Sequence, residues 1–377
     1  MSEWKEVKLG EICSYGKERI GVASLTSATY ISTENMQPNR GGVVLASSIP
    51  DKGCVVAYKK DDVLVSNIRP YFKKIWQASH DGGCSADVLV FRNRENVNAK
   101  FLYYSLSADS FFDYSMATAK GTKMPRGDKN SLMEYGVKLP PLAEQCRIAD
   151  ILGCLDDKIE LNNRINRNLE EQAQALFKNW FVDFAPFGGN MPAGWKRGKL
   201  SDIAKFEKEK IEVSRLTEFS YYSTENMLPD KAGVCPASSL PNVSQTTRCY
   251  PGETIVSNIR PYFKKVYFCT EELAGCSTDV LCFKPRKASL GIYNYCSLCQ
   301  DDFFYYVLNG AKGTKMPRGD KSQMMKFAVC IPPEEVLQKF AAMVAPMLQK
   351  VDGNRNENRC LAVLRNALLP KLVNGTA

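Results

Sequence analysis

The feature of this sequence that most constrains its fold is a long internal repeat. The decapeptide VSNIRPYFKK occupies residues 65–74 and returns unchanged at 256–265, an offset of 191 residues. STENM at 32–36 returns at 223–227 with the same offset. KGTKMPRGDK at 120–129 returns unchanged at 312–321, with an offset of 192. A period this long indicates two duplicated domains, because solenoid repeats are only about 20–50 residues long.

Each copy has the sequence pattern of a mixed α/β domain. DVLVF at 87–91 and its counterpart DVLCF at 279–283 are short apolar runs rich in strand-forming residues, which predicts buried strands. AKFLYYSLSADSFFDYSM at 99–116 has helical spacing, with its aromatic residues on the inward side. The Gly/Pro-rich segment PFGGNMPAGW at 186–195 predicts the break before the second module. A chain of 377 residues also exceeds the usual size of a single core.

A long helix is predicted after each module. The apolar positions after residue 147 are spaced by four and three, which is the pattern of a coiled-coil seam. The predicted seam of the first helix consists of Ile148, Leu152, Leu155, Ile159, Asn162, Asn166 and Leu169. The predicted seam of the second helix consists of Phe340, Val344, Met347, Val351, Asn354, Asn358 and Leu361. A helix over 142–184 would span about 60 Å at about 1.5 Å per residue. Pro346 predicts a kink in the second helix.

Both predicted helices have asparagine at the same two seam positions. Polar residues in a coiled-coil seam lower stability but fix the register and orientation of the helices. The alternative is a surface patch, where each helix turns away from its partner. If the two helices pair antiparallel, the modules are related by a pseudo-two-fold axis, which is also the symmetry of duplex DNA. The predicted organisation is a first module over 1–141, a helical spacer over 142–187, a second module over 188–333 and a second spacer over 334–377.

The two identical basic motifs in each module predict a nucleic-acid surface. Lys and Arg neutralise phosphates, while Asn and Tyr donate to the DNA backbone or to base edges. The predicted DNA-binding residues of the first module are Ser66, Asn67, Arg69, Tyr71, Lys73, Lys74, Lys120, Thr122, Lys123, Arg126 and Lys129. Those of the second module are Ser257, Asn258, Arg260, Tyr262, Lys264, Lys265, Lys312, Thr314, Lys315, Arg318 and Lys321. The alternative is that the apolar residues of the motifs are core and their charges are a solvated face, but their identity in two otherwise diverged copies favours function.

Other patterns are open or argue against catalysis. STENM fits base contacts and a turn or helix cap equally well. His80 is the only histidine, so no His-based triad and no metal site with His ligands is expected. The pair Cys296 and Cys299 has no second CxxC and fits core cysteines better than zinc ligands. The sequence has no phosphate-binding GxxxxGK[ST] loop and no Gly-rich loop for a methyl donor. We therefore expect a chain that binds without catalysing and that holds no metal or cofactor.

Composition adds the expected compartment. The net charge of +9 is compatible with an anionic partner. The opening MSEWKEVKLG lacks the apolar segment of a signal peptide, and no run of about 18 apolar residues predicts a membrane span. Fourteen scattered cysteines without a signal sequence fit reduced thiols in the cytoplasm.

The segment LPPLAEQCRIADILGCLDDKIELNNRINRNLEEQAQALFKNWFVDF at 139–184 closely resembles the central conserved region of type I restriction-modification specificity subunits. Both modules also open on the similar patterns WKEVKLGEI and WKRGKLSDI, at 4–12 and 195–203. The resemblance implies two target-recognition domains disposed antiparallel about paired helices, which read a bipartite double-stranded DNA site with a nonspecific gap. It also implies two methyltransferase subunits as partners, restriction subunits when present, and S-adenosylmethionine and ATP bound by those partners rather than by this chain.

Two features qualify that resemblance. The second helix lacks the EQ–R signature of the first and contains Pro346, so partner docking there is expected to differ in detail. The two modules are unusually alike, which predicts similar half-sites and a near-palindromic target. The competing interpretations are a specificity subunit for a fused nuclease–methyltransferase, a self-sufficient DNA methyltransferase or nuclease, and a protein-binding assembly scaffold.

Overall fold

The computed structural model describes residues 4–376, so the first three residues and the last residue of the predicted organisation lie outside it. The chain divides into two compact units, one formed by Met1–Glu160 with Asn358–Ala377 and the other by Leu161–Glu357. Each unit contains one module and one end of each long helix. The fold is mixed α/β, as the sequence predicted.

Over residues 4–141, the first module contains three small sheets and four short α-helices. Its elements are β1 (Lys5–Lys8), α1 (Leu9–Ile12), β2 (Cys13–Tyr15), β3 (Arg19–Gly21), β4 (Tyr30–Ile31), β5 (Cys54–Tyr58), β6 (Val63–Ser66), β7 (Ile75–Gln77), β8 (Gly82–Cys84), β9 (Val88–Asn93), α2 (Ala99–Ser107), α3 (Asp109–Ala117), α4 (Lys129–Met133) and β10 (Gly136–Leu139). The strand orders are β2-β9-β6-β7, β3-β5-β8-β4 and β1-β10. All pairs are antiparallel except β4 with β8.

The second module has the same strand orders. Its elements are β11 (Lys196–Lys199), α6 (Leu200–Ile203), β12 (Ala204–Phe206), β13 (Lys210–Glu212), β14 (Tyr221–Tyr222), β15 (Gln245–Cys249), β16 (Thr254–Ser257), β17 (Val266–Phe268), β18 (Ala274–Cys276), β19 (Val280–Pro285), α7 (Gly291–Leu298), α8 (Asp301–Asn309), α9 (Lys321–Met324) and β20 (Ala328–Ile331). Its sheets are β12-β19-β16-β17, β13-β15-β18-β14 and β11-β20.

Side-chain alternation along β6 explains why this strand is buried on both faces. Val63 and Val65 join the core that includes the aromatic residues of α3. Leu64, which points to the opposite face, joins the core between the two four-stranded sheets. The sheet β2-β9-β6-β7 therefore has helices on one face and the sheet β3-β5-β8-β4 on the other. The decapeptide begins on this strand, so its first residues are fixed by two cores.

The two long helices have 40 residues each, which corresponds to about 60 Å. They are α5 (Leu142–Phe181) and α10 (Glu334–Val373). Pro141 and Pro333 precede them, where a missing N–H costs no helical hydrogen bond. Helix α10 runs unbroken through Pro346, although this proline leaves the carbonyl of Ala342 without its usual partner.

Within each unit, α5 and α10 contact one another. In the unit with the first module, Ile148 and Leu152 of α5 share a core with Leu369 and Leu372 of α10. In the other unit, Asn354 donates a hydrogen bond to Asn166 over 2.8 Å. Three of the four seam asparagines are buried (Asn162, Asn166 and Asn354), and the fourth, Asn358, is half-buried. They therefore do not form a surface patch. All the other predicted seam residues are buried or half-buried.

Candidate nucleic-acid interface

The decapeptide leaves its strand through an uncommon backbone conformation. After β6 ends at Ser66, a single turn of 3-10 helix forms over Pro70–Phe72. Arg69 and Lys73, on either side of it, have φ angles of 52° and 49°. Left-handed conformations are rare for residues with a side chain and persist only where the surroundings hold them. Arg260 and Lys264 of the second module have φ angles of 49° and 49°, so the same strain is kept in both copies.

Backbone hydrogen bonds hold the decapeptide between two other loops. On one side, the amide of Arg69 donates to the carbonyl of Pro125 over 2.8 Å. On the other side, the amide of Asn39 donates to the carbonyl of Phe72 over 2.8 Å. The second module repeats both bonds, Arg260 to Pro317 and Asp230 to Phe263, at 2.8 Å each. We call these three segments the loop cluster: residues 38–42, 67–74 and 120–129 of the first module, and 229–233, 258–265 and 312–321 of the second.

The loop cluster thus brings the two predicted basic motifs together in each module. It also includes a segment that the sequence analysis missed, the turn at residues 38–42. Its only sequence signal was the run PNRGG, an ordinary turn composition. The turn became visible only through its hydrogen bonds to the decapeptide.

Several cations of the loop cluster already have acidic partners. Lys73 lies 2.7 Å from Asp109, and Arg126 lies 3.1 Å from Asp87. Lys120 pairs with Asp128, and its hydrogen bond lowers the pKa of that carboxyl to about 2. The second module repeats the three pairs as Lys264–Asp301, Arg318–Asp279 and Lys312–Asp320. Exposed ion pairs contribute only about 0–1 kcal/mol, so a phosphate can compete for these cations.

Lys74 has a structural role instead. Its ammonium donates to the carbonyl of Thr33 over 2.6 Å, and burial lowers the pKa of Lys74. Lys265 makes the same contact with Thr224, and burial lowers its pKa as well. These two lysines tie STENM to the decapeptide.

The remaining basic residues of the loop cluster have no acidic partner in the described structure and are the most accessible to an external anion. Lys123 and Lys129 are exposed and have no ion pair among residues 4–376, and the same holds for Lys315 and Lys321. The predicted hydroxyl residues Thr122 and Thr314 are exposed beside them. Arg69 and Arg260 are half-buried, and the Nε–H of each is buried without a partner in the described part of the chain.

Exposed apolar side chains lie among these charges. Tyr71 and Phe72 are 48% and 39% exposed, with ring centroids 4.7 Å apart. Met124 is 47% exposed. The second module exposes Tyr262, Phe263 and Met316 to nearly the same extent. An exposed aromatic pair between lysines is the composition of a surface that contacts nucleic acid.

Four of the predicted DNA-binding residues lie inside the modules. Ser66 and Asn67 are buried, as are Ser257 and Asn258. The Ser66 hydroxyl donates to the carbonyl of Ile68 over 3.2 Å. A methyl group at Gly127 would lie 2.9 Å from Asn67 Oδ1, so this loop needs a glycine for its close approach. No more than 8% of each of these four residues is exposed, so DNA contacts are assigned to their exposed neighbours instead.

STENM forms a turn that is held by its asparagine. The Asn35 side chain accepts from the Ser32 amide over 2.6 Å and donates to the carbonyls of Tyr30 and Val44. Asn226 makes the corresponding bonds in the second module. Of the two interpretations left open by the sequence, the side-chain contacts of the asparagine favour the turn.

The described residues contain no cluster of acidic, Cys and His side chains able to hold a metal ion. Cys296 and Cys299 are both buried in the core of the second module. Among the residues with assigned structure, no helix combines the length and apolar character needed to cross a membrane.

Comparison with known proteins finds similarity to one family. A family model described as the type I restriction modification DNA specificity domain matches residues 1–171. The chain is 28% identical over 319 residues to the MjaIX specificity subunit of Methanocaldococcus jannaschii, covering 76% of this chain and 71% of that protein. It is 25% identical to the HindI specificity subunit of Haemophilus influenzae, and that alignment covers 100% of both chains. Both relatives are named as subunits of type I restriction enzymes.

A solved structure shares the fold. The S subunit of a type I restriction-modification system from M. genitalium superposes with a TM-score of 0.59 at 17% identity, over 99% of this chain and 96% of that one. These comparisons show that the chain is similar, over most of its length, to specificity subunits of type I restriction enzymes.

Proposed function

We propose that this chain reads a bipartite double-stranded DNA site, one half with each module. The observation that carries the proposal is the loop cluster. An identical set of exposed cations and aromatic side chains recurs in both modules on the same strained backbone. In this proposal Arg69, Lys123 and Lys129 contact phosphates, and Tyr71 contacts the DNA backbone or a base edge. Their counterparts Arg260, Lys315, Lys321 and Tyr262 do the same in the second half-site.

We further propose that the two modules arose by duplication and that α5 and α10 pair as an antiparallel coiled coil with pseudo-two-fold symmetry. The contacts inside each unit support this direction. Ile148 and Leu152 near the start of α5 pack with residues near the end of α10. Phe177 near the end of α5 packs with Phe340 near the start of α10, with ring centroids 6.1 Å apart. The helices would then be the spacer that sets the nonspecific gap.

The proposed organisation is that of the sequence prediction: recognition domains over 1–141 and 188–333, and helical spacers over 142–187 and 334–377. Two methyltransferase subunits, and restriction subunits when present, would assemble with the chain in the cytoplasm. S-adenosylmethionine and ATP would bind to those partners. Because the decapeptide and the KGTKMPRGDK motif of the loop cluster are identical in both modules, the two half-sites should be alike and the target near-palindromic.

The decisive experiment is a methylome of cells that express this chain with its neighbouring methyltransferase subunit. We expect a new bipartite methylated motif with similar halves. No new motif, in cells where the two subunits demonstrably form a complex, would contradict the proposed DNA reading. Two unrelated half-sites would contradict the near-palindromic target alone.

A binding measurement tests the loop cluster directly. Replacing Arg69 and Arg260 together by Ala should weaken binding of the assembled complex to duplex DNA. The slope of log affinity against log salt should fall by roughly 0.9 for each lost phosphate contact. The matched control is the pair Arg94→Ala and Arg286→Ala, which removes the same charge outside the loop cluster. Equal losses in the test and control variants would contradict a specific role for the decapeptide.

A further inference from the structure

One exposed residue of the loop cluster differs chemically between the modules in a way that bears on base recognition. The turn at 38–42 has Asn39 where the turn at 229–233 has Asp230. Both residues are exposed, and their φ angles are 54° and 53°. The amide of each donates to the decapeptide over the same distance of 2.8 Å, Asn39 to Phe72 and Asp230 to Phe263. The two side chains therefore start from the same backbone position beside the same exposed aromatic pair.

The next residue of each turn does not offer a free side chain that differs between the modules. Arg40 donates from Nε to the carbonyl of Ser107 over 2.6 Å and pairs with Asp109. Lys231, its counterpart, lies 2.7 Å from Asp301. Both cations are thus held against α3 or α8. Asn39 and Asp230 have no side-chain hydrogen bond or ion pair recorded among the described residues, so their polar atoms are available to a ligand.

The backbone does not explain the difference. Asn and Asp both tolerate the left-handed conformation, so either residue would serve the turn equally well. Their recognition chemistry is different. An Asn side chain both donates and accepts, which matches N6 and N7 of adenine, whereas a carboxylate only accepts, which matches the N4 amine of cytosine. A carboxylate among cations that face phosphates is also repelled by the DNA unless it meets a donor.

We infer that Asn39 and Asp230 read one base pair in each half-site, adenine by Asn39 and cytosine by Asp230. This inference rests on the proposed function, and it names the residues that make the two half-sites differ within an otherwise shared framework. The target would then be near-palindromic with a mismatch at this position, A·T in one half and C·G in the other.

The test is an exchange of the two residues, read by methylome sequencing in cells that contain the partner methyltransferase subunit. Asn39→Asp should convert one A·T pair of the first half-site to C·G, and Asp230→Asn should make the reverse change in the second. The matched control is Asn96→Asp. Asn96 is also exposed and also left-handed, with a φ of 66°, but it lies on the turn between β9 and α2, outside the loop cluster. The control should keep the wild-type motif.

The possible outcomes separate the two proposals. A wild-type methylome without a motif defeats the proposed function itself. A wild-type motif that both exchange variants retain overturns the inference alone. It would direct attention to Tyr305 on α8, which replaces Asp113 of the first module and is 69% exposed beside Tyr262.

If Asn39→Asp abolishes methylation, binding to duplexes that vary only at this base pair decides the question. We expect a shift in preference from A·T to C·G of roughly ten-fold or more. Equal weakening for all four base pairs would overturn the inference.

Discussion

The two modules carry two identical basic motifs over different cores. In the first module, the core between the two four-stranded sheets consists of Ile31, Met36, Tyr58, Leu64, Ala78, Cys84, Val88 and Val90. In the second module, the corresponding core consists of Tyr222, Met227, Cys249, Ile255, Tyr267, Cys269, Ala274, Cys276, Val280 and Cys282. Most of these positions differ between the copies, although the decapeptide that leaves the same sheet is identical.

The clearest exchange is between two neighbouring strands. Tyr58 of β5 lies opposite Gly82 of β8, and Cys249 of β15 lies opposite Ala274 of β18. A methyl group at Gly82 would come closer than 3.0 Å to the Tyr58 hydroxyl and to the carbonyl of Thr29. The large residue therefore requires glycine as its partner, and the small residue leaves room for alanine.

Another exchange in the same core places the larger residue in the second module. Tyr222 occupies the position of Ile31, and its ring centroid lies 5.3 Å from that of Tyr267. Its hydroxyl donates to Glu271 over 2.6 Å, so the buried phenol keeps a partner. The loops have not changed in parallel, which is the pattern expected when the core is constrained by volume and the loops by an external partner.

The largest effect that would test this comparison is expected from Gly82→Ala. The added methyl group has no space, and one of its near neighbours is backbone, which cannot rotate away. We expect a loss of local stability of about 3 kcal/mol, at the upper end of typical overpacking costs. Amide hydrogen exchange of β5 and β8, followed by mass spectrometry, would report this loss locally.

The comparison also predicts how the loss can be relieved. Adding Tyr58→Cys to Gly82→Ala reproduces the pair found in the second module. The double variant should regain at least about 1 kcal/mol relative to the sum of the single variants, because the two residues are in contact. If the stability losses of the two single substitutions simply add in the double variant, the two residues are not coupled and their exchange between the modules was not coordinated.

A smaller loss of stability is expected from disturbing the buried carboxylate that precedes β6, which is Asp62. Asp62 accepts two hydrogen bonds from Arg92, at 2.9 and 2.8 Å. In the second module, Glu253 takes the place of Asp62, but the ammonium of Lys284 lies 3.9 Å from the Glu253 carboxylate. Arg92→Lys should cost about 1–2 kcal/mol, because an ammonium cannot form the two-bond pair and Asp62 is only 3% exposed.

The same hydrogen-exchange measurement on β6 and β9 would check the Arg92 prediction. The control is Arg19→Lys, since Arg19 is an exposed arginine of the same module with a single bond of 3.2 Å to a carbonyl. A cost for Arg92→Lys no larger than that of the control would mean that the two-bond geometry contributes little.

The sequence predicted regularly repeated features best. The long helices could be read from apolar spacing and the preceding prolines. The prediction extended the first helix to 184, whereas α5 ends at Phe181. Pro346 lies within α10, which is helical on both sides of it beside the buried residues Val344 and Leu348, and the kink predicted there stays a prediction.

Side-chain partners that come from distant segments could not be read from the sequence. Nothing near the decapeptide indicates that Lys73 pairs with Asp109, which is 36 residues away. Nor could the sequence indicate that Asn67 is buried while Lys123 is exposed, because both belong to equally polar motifs. The repeated motifs predict a DNA-binding surface, but the division of their residues between buried and exposed positions depends on tertiary packing.

The smallest expected effect concerns a carboxylate that only the second module has. Glu207 stands where the first module has Gly16. Burial alone would raise the pKa of Glu207, but hydrogen bonds from Lys284 and from the amides of Glu209 and Lys208 outweigh it and lower the pKa to about 2.

Because its folded-state pKa is depressed, Glu207 stabilises the second module fully above its ordinary pKa of 4.5, and this contribution is lost as the pH falls toward 2. Glu207→Gln should therefore weaken the acid dependence of the melting temperature between about pH 5 and about pH 3. Glu218→Gln is the control, since Glu218 is an exposed glutamate of the same module without a recorded side-chain contact. If both variants kept the wild-type acid dependence, the acid-sensitive difference between the modules would have to lie in another group. One such group is Glu253, whose pKa burial raises and whose contribution to stability therefore has the opposite pH dependence.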